Sequence, residues 1–176
     1  MIHTFTQGQI GKSHPSGYRL DTVNLCAGLA SGSFTAQSPF FAFTAGNCNN
    51  GVLLTSGNES GTRFILTTDA SQANNNGCGV QIVFGSAKRV GRIKLSRYGT
   101  SSGAICDFKV QAIVGGTPTD VGTVSNISTG YTLMDIDCNS SYTYSETTWN
   151  VRITNWSASS TSNMYMGEIE AYEWVQ

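Results

Sequence analysis

Trp149-Asn-Val-Arg-Ile-Thr-Asn-Trp156, followed after a Ser/Thr-rich loop by Met166-Gly-Glu-Ile-Glu-Ala-Tyr-Glu-Trp174, decides the fold. In the first segment Trp149, Val151 and Ile153 fall on one side, with Arg152 and Thr154 opposite. That period of two belongs to a strand with one buried face. In the second, Ile169 and Ala171 alternate with Glu168, Glu170 and Tyr172. Two such segments joined by a polar loop read as paired strands closing a β-sandwich.

The same pattern runs back through most of the chain. Strands are expected over 40–44, 52–55, 62–68, 79–84, 89–98, 105–114, 119–124 and 131–138, ahead of 149–156 and 165–174. Phe108, Val110, Ala112 and Val114 share one face, and Gly115-Gly116-Thr-Pro118 marks the turn after them. No stretch of twelve residues carries a capped helical stripe, and no internal repeat is visible. Many short strands separated by Gly, Asn and Ser turns indicate an all-β fold, an antiparallel sandwich of jelly-roll type. At 176 residues the chain is one domain with room for a sizeable core. Residues 7–17 are turn-rich and 18–25 alternate like a lead-in strand. Residues 1–30 are therefore expected to form an N-terminal arm docking on a neighbouring subunit, with the sandwich occupying 31–176.

Composition excludes several roles. Only 12% of residues are charged, the net charge is −1, and 39% are apolar. A duplex binder needs clustered Lys and Arg. The densest basic run, Lys88 to Lys94, is spread by alternation along one strand and reads as a solvated face. No apolar run is long enough to span a membrane as a helix, and no basic-then-apolar leader is visible. The five cysteines, Cys26, Cys48, Cys78, Cys106 and Cys138, contain no CxxC pair, so a zinc site is not expected and mostly reduced thiols are. Asn-X-Ser sequons occur at Asn58, Asn126, Asn139 and Asn155, a number that chance supplies in a chain this rich in Asn and Ser.

Catalysis finds little to work with. The two histidines, His3 and His14, both lie in the turn-rich arm, and no Gly-x-Ser-x-Gly elbow or glycine-rich phosphate loop occurs. Asp135 with Asp137, and Glu168 with Glu170, have the i,i+2 spacing of a carboxylate pair, but such pairs are routine on solvated strands. Sugar binding asks for aromatic faces beside hydrogen-bonding side chains in polar loops. The candidates are Arg97 with Tyr98, Tyr142, Tyr144, and Asn155 with Trp156. No enzymatic role is expected.

Several segments together resemble discoidin-type (coagulation factor 5/8 C-type) and galactose-binding-like domains. Gly167-Glu-Ile-Glu-Ala-Tyr172 is similar to their closing strand. Ala42-Phe-Thr-Ala-Gly-Asn47 followed by Gly51-Val-Leu-Leu-Thr-Ser56 is similar to their early Ala-Phe-Asp-Gly-Asn motif. Val80-Gln-Ile-Val-Phe-Gly85 and Lys88-Arg-Val-Gly-Arg-Ile-Lys-Leu-Ser96 match the two strands that follow. The resemblance implies a sandwich that binds ligands through loops at one end, and a structural calcium held partly by Glu168. Thr44 stands where relatives carry a calcium-binding Asp, Val52 and Leu53 replace a usual Trp, and a C-terminal Cys is absent.

The first expectation for function is a bacteriophage virion component (tail, fibre, baseplate or capsid decoration) assembled in the host cytoplasm. Its partners would be virion or homo-oligomer subunits reached through the arm, together with cell-surface glycans. The initiating Met, the missing leader and the arm favour it. The alternative is a secreted carbohydrate-binding module or lectin domain, extracellular.

Overall fold

The structure, a computed structural model, describes residues 17–37, 42–55, 65–67, 78–99, 105–128, 130–138, 140–157 and 164–176. Among these the strands are β1 (Arg19–Leu20), β2 (Phe34–Gln37), β3 (Ala42–Phe43), β4 (Ile65–Thr67), β5 (Gly79–Lys88), β6 (Val90–Gly99), β7 (Ile105–Val114), β8 (Thr117–Ser128), β9 (Gly130–Asp137), β10 (Glu146–Ser157) and β11 (Met164–Val175). Short 3-10 turns occur at Ser31–Ser33, Ala45–Asn47 and Ser141–Thr143, and the described residues contain no α-helix.

Two antiparallel sheets stack on one core. One has the order β3-β4-β11-β6-β9, with β1 also paired to β11; the other runs β2-β5-β10-β7-β8. Alternation decides what enters the interior. From the first sheet come Ile93, Leu95, Ile136, Ile169 and Ala171; from the second, Val80, Ile82, Phe108, Val110, Ala112, Trp149, Val151 and Ile153, all fully buried. At about 1.5–3 kcal/mol for each large apolar side chain removed from water, this double row is the main stabilising term. The hairpin between β7 and β8 turns at Gly115 and Gly116, whose φ values of 56° and 86° suit glycine, as the sequence expects. Where β8 meets β9 across the seam of the sandwich, a Cβ on Gly122 would stand 2.5 Å from the Asp137 carbonyl oxygen.

Several expectations are corrected. β10 and β11 do not pair with each other. β10 lies between β5 and β7, while β11 lies against β4 and β6 in the opposite sheet. Both are buried central strands, and the segment between them carries the chain from one layer to the other. Residues 52–55 form no strand. They cross the face of the first sheet, where Leu54 N–H donates to Ser96 Oγ at 2.8 Å and Leu54 packs on Gly167. β2 has no counterpart in the sequence reading.

The later half of the expected arm is built into the body. β1 pairs with Trp174 and Val175, Leu25 N–H donates to the Ala171 carbonyl at 2.7 Å, and Cys26 is buried. Residues 1–16, with both histidines, lie outside the described residues, as do 40–41, 62–64 and 68 of the expected strands. All five cysteines are buried thiols rather than disulfides. Burial raises every one of them, Cys106 to about 11 and Cys78 to about 12.

Candidate functional site

Strand register sorts the candidate residues to opposite ends of the sandwich. At one end β6 finishes with Arg97, Tyr98 and Gly99 opposite Met166, Tyr165 and Met164 of β11. In the facing sheet, β10 finishes with Asn155 and Trp156 opposite Asp107 and Cys106 of β7. The Arg97 guanidinium lies near enough to the Cys106 thiol for each to act on the other's charge, so the two strand ends belong to the same end of the sandwich. Tyr142 and Tyr144 sit elsewhere. They follow β9 at the turn Ser141–Thr143, near the start of β6, and the Tyr142 ring lies 5.8 Å from that of Tyr18. Four of the six candidates therefore share an end and two do not.

Arg97 and Tyr98 do not work side by side, because neighbours on a strand point to opposite faces. Arg97 continues the inward series Ile93, Leu95 and is 0% exposed. Its Nη1 lies 3.9 Å from Met164 Sδ, a weak acceptor, while Nε and Nη2 have no hydrogen-bond partner. Burial pushes its pKa down. Tyr98 faces outward and stacks on Tyr165, the ring centres 5.7 Å apart and the planes 8° from parallel.

The rest of the outer face of this sheet is a neutralised network. Arg92 Nε donates to Asp137 at 2.8 Å and Nη1 lies 3.4 Å from Asp135. Lys94 Nζ stands 5.5 Å from the Tyr172 ring centre, and Tyr172 donates its hydroxyl to Glu170. Asp135 and Asp137 are thus held as partners of Arg92, an arrangement suited to solubility and sheet cohesion rather than to acid–base work.

Glu168 is 4% exposed and lies beneath the 48–55 segment. One carboxylate oxygen accepts the Gly51 N–H at 2.8 Å, and the Asn50 N–H also bonds to the carboxylate. Burial raises its pKa to about 7, against the lowering by the Gly51 N–H. Calcium wants six to eight oxygen ligands. Here the loop turns N–H donors toward the one carboxylate. The Thr44, Ala45 and Cys48 carbonyls accept from Asn47, Cys48 and Ile169. Among the described residues no group of three or more His, Cys, Asp or Glu is placed to hold a metal. The residues present do not fit calcium, and Glu168 serves as the anchor of the 48–51 turn.

The sequence matches no protein-family profile and no curated protein. Among solved structures, the chain is similar to the family 32 carbohydrate-binding module of AlyQ in complex with 4,5-unsaturated mannuronic acid (TM-score 0.53, 18% identity, covering 78% of this chain and 92% of that one). It is also similar to chitosan-binding module 1 of a chitosanase/glucanase from Paenibacillus sp. IK-5 (TM-score 0.54, 19% identity, 85% and 98% covered). A third likeness is the family 32 module of C. perfringens NanJ in complex with galactose (TM-score 0.51, 13% identity, 85% and 98% covered). The chain has a galactose-binding-like fold. At these identities the likeness shows the fold alone.

Of the features missed by sequence reasoning, the burial of Arg97 had a legible signal. It falls in phase with Ile93 and Leu95, so period-two alternation points it inward. The stacking of Tyr98 on Tyr165 had none, because cross-strand register is not written in either strand alone.

Proposed function

We propose that this chain is a non-catalytic carbohydrate-binding module, extracellular, which engages saccharides at the end of the sandwich where β6 and β10 finish, with Arg97 as its central residue. The observation that carries the proposal is the convergence of four of the six candidates at one end of a fold shared with sugar-binding modules. One of those modules was solved with galactose, another with an unsaturated mannuronic acid, and a third is named for chitosan. Fold and function are separable, so the weight falls on the end itself: a buried cation that has no counter-ion among the described residues. Tyr142 and Tyr144, at the other end, have no part in this reading.

The virion role placed first on sequence finds no support in the fold or in the neighbours. Its structural argument rested on the arm, of which residues 1–16 lie outside the described residues; residues 19–29, which include the expected lead-in strand, bond within their own chain. Affinity electrophoresis or calorimetry against a panel of neutral, amino and acidic polysaccharides tests the proposal. Retention of at least one, with no release of reducing ends, supports it. Indifference to every saccharide, or turnover of one, overturns it.

A further inference from the structure

Arg97 is the one described cation that is fully buried, and among the described residues it has no counter-ion. Nη1 rests against a thioether, and Nε and Nη2 bond to nothing. Among the described residues the ionisable group that acts on it is the Cys106 thiol, which burial keeps protonated and uncharged. Taking an unpaired guanidinium out of water costs several kcal/mol, and arginine cannot escape by losing its proton as lysine can. Nothing among the described residues returns that cost. Arg92, by contrast, is only partly buried and still has two carboxylates.

The two unpartnered nitrogens are chemically informative. Nε–H and Nη2–H are the parallel donors along one edge of the planar guanidinium, the pair that grips both oxygens of a carboxylate or a similar oxyanion. Because the guanidinium has no exposure of its own, the anion must enter the end of the sandwich rather than lie on its surface. A group that projects from a sugar ring does this. A neutral hydroxyl would leave the charge uncompensated.

We infer that the ligand of this end is an acidic saccharide, whose oxyanion, a carboxylate or a sulfate ester, is held bidentately by Arg97 Nε and Nη2. This rests on the carbohydrate-binding reading and narrows it to a substrate class. It also makes ligand-free Arg97 a stability liability that binding relieves.

The test uses the full chain with four probes: a polyuronate, the same polymer methyl-esterified, a sulfated galactan and its desulfated parent. It also uses two variants, Arg97→Met and Arg97→Lys. The expected result is retention of the polyuronate or of the sulfated galactan, whichever carries the matching anion, with loss on esterification or desulfation. Both variants should lose retention by roughly tenfold or more, since lysine keeps the charge without the fork. Arg97→Met should also raise the ligand-free Tm, because it removes an unpaired buried charge and keeps an unbranched apolar chain. A merely structural arginine would lower it. Equal retention of charged and uncharged polymers, unchanged retention by both variants, or a lower Tm for Arg97→Met overturns the inference. Retention of neutral polymers alone overturns it while leaving the carbohydrate-binding reading intact; retention of none defeats both.

Discussion

At the end of the sandwich where Trp149 and Trp174 sit, both tryptophans and Lys88 have partners. The Trp174 indole N–H donates to the Cys138 carbonyl at 3.2 Å, and Trp149 donates to Glu146 at 2.9 Å. Ser141 Oγ reaches the Cys138 carbonyl, and Lys88 lies 3.3 Å from Glu173. At the opposite end, the fully buried Arg97 has a sulfur for company and two empty donors. Satisfied polar groups rigidify a structure, and an unsatisfied one marks a place where the chain gives up stability for something else. The contrast teaches that paired polar groups hold the sheets together at one end, and on the proposed reading the other end is kept for a ligand.

The sharpest way to break that division is to damage the closed end and watch the open one. Trp174→Ala should cost about 3–5 kcal/mol, read as a lower denaturant midpoint. The folded fraction should still bind saccharide as before. Loss of binding at equal foldedness would show that the ends are not independent. Gly122→Ala comes next. Its new Cβ would press on the Asp137 carbonyl, backbone that cannot rotate away, at a cost of about 1–3 kcal/mol. Hydrogen exchange should then rise first along β8 and β9.

A smaller effect separates Glu168 from both ends. In the unfolded chain its carboxyl titrates near 4.5, and in the fold burial holds it at about 7. The folded state therefore binds that proton more tightly, so the contribution to stability is full below about pH 4.5 and is lost as pH rises through 7. Thermal unfolding should show Tm falling by several degrees across this window. Glu168→Gln, which keeps an acceptor for Gly51 N–H, should flatten it; an unchanged slope would place the titration elsewhere. The smallest effect is none at all: neither excess calcium nor a chelator should move Tm. A calcium-dependent rise would restore the metal that the donor set argues against.

Most of the second sheet was legible in the sequence. β7 was bounded correctly, and β10 within three residues, because Phe108, Val110 and Ala112, like Trp149, Val151 and Ile153, repeat strictly at every second position. Which strand pairs with which was not legible. Alternation reports a buried face but not the neighbour that covers it, and β10 and β11 are adjacent in sequence yet central in different layers. β2 escaped because Phe34–Gln37 offers one large apolar residue. Residues 52–55 misled because Val52, Leu53 and Leu54 look like a strand, while only Leu54 is buried, over Gly167. For the candidate site, residue type was enough to select Arg97 and Tyr98. Their opposite directions also followed from the strand period, but the missing counter-ion needed coordinates.

The five sequestered sulfurs carry a practical corollary. Alkylating and disulfide-exchange reagents should find nothing to attack on the native protein, since each thiol is both inaccessible and held protonated. A single replacement at an exposed position such as Thr117→Cys, beside the β7–β8 hairpin, would then be the sole handle for coupling. Tethered there, the molecule would stand on a sensor surface with the Arg97 end of the sandwich facing away from the support.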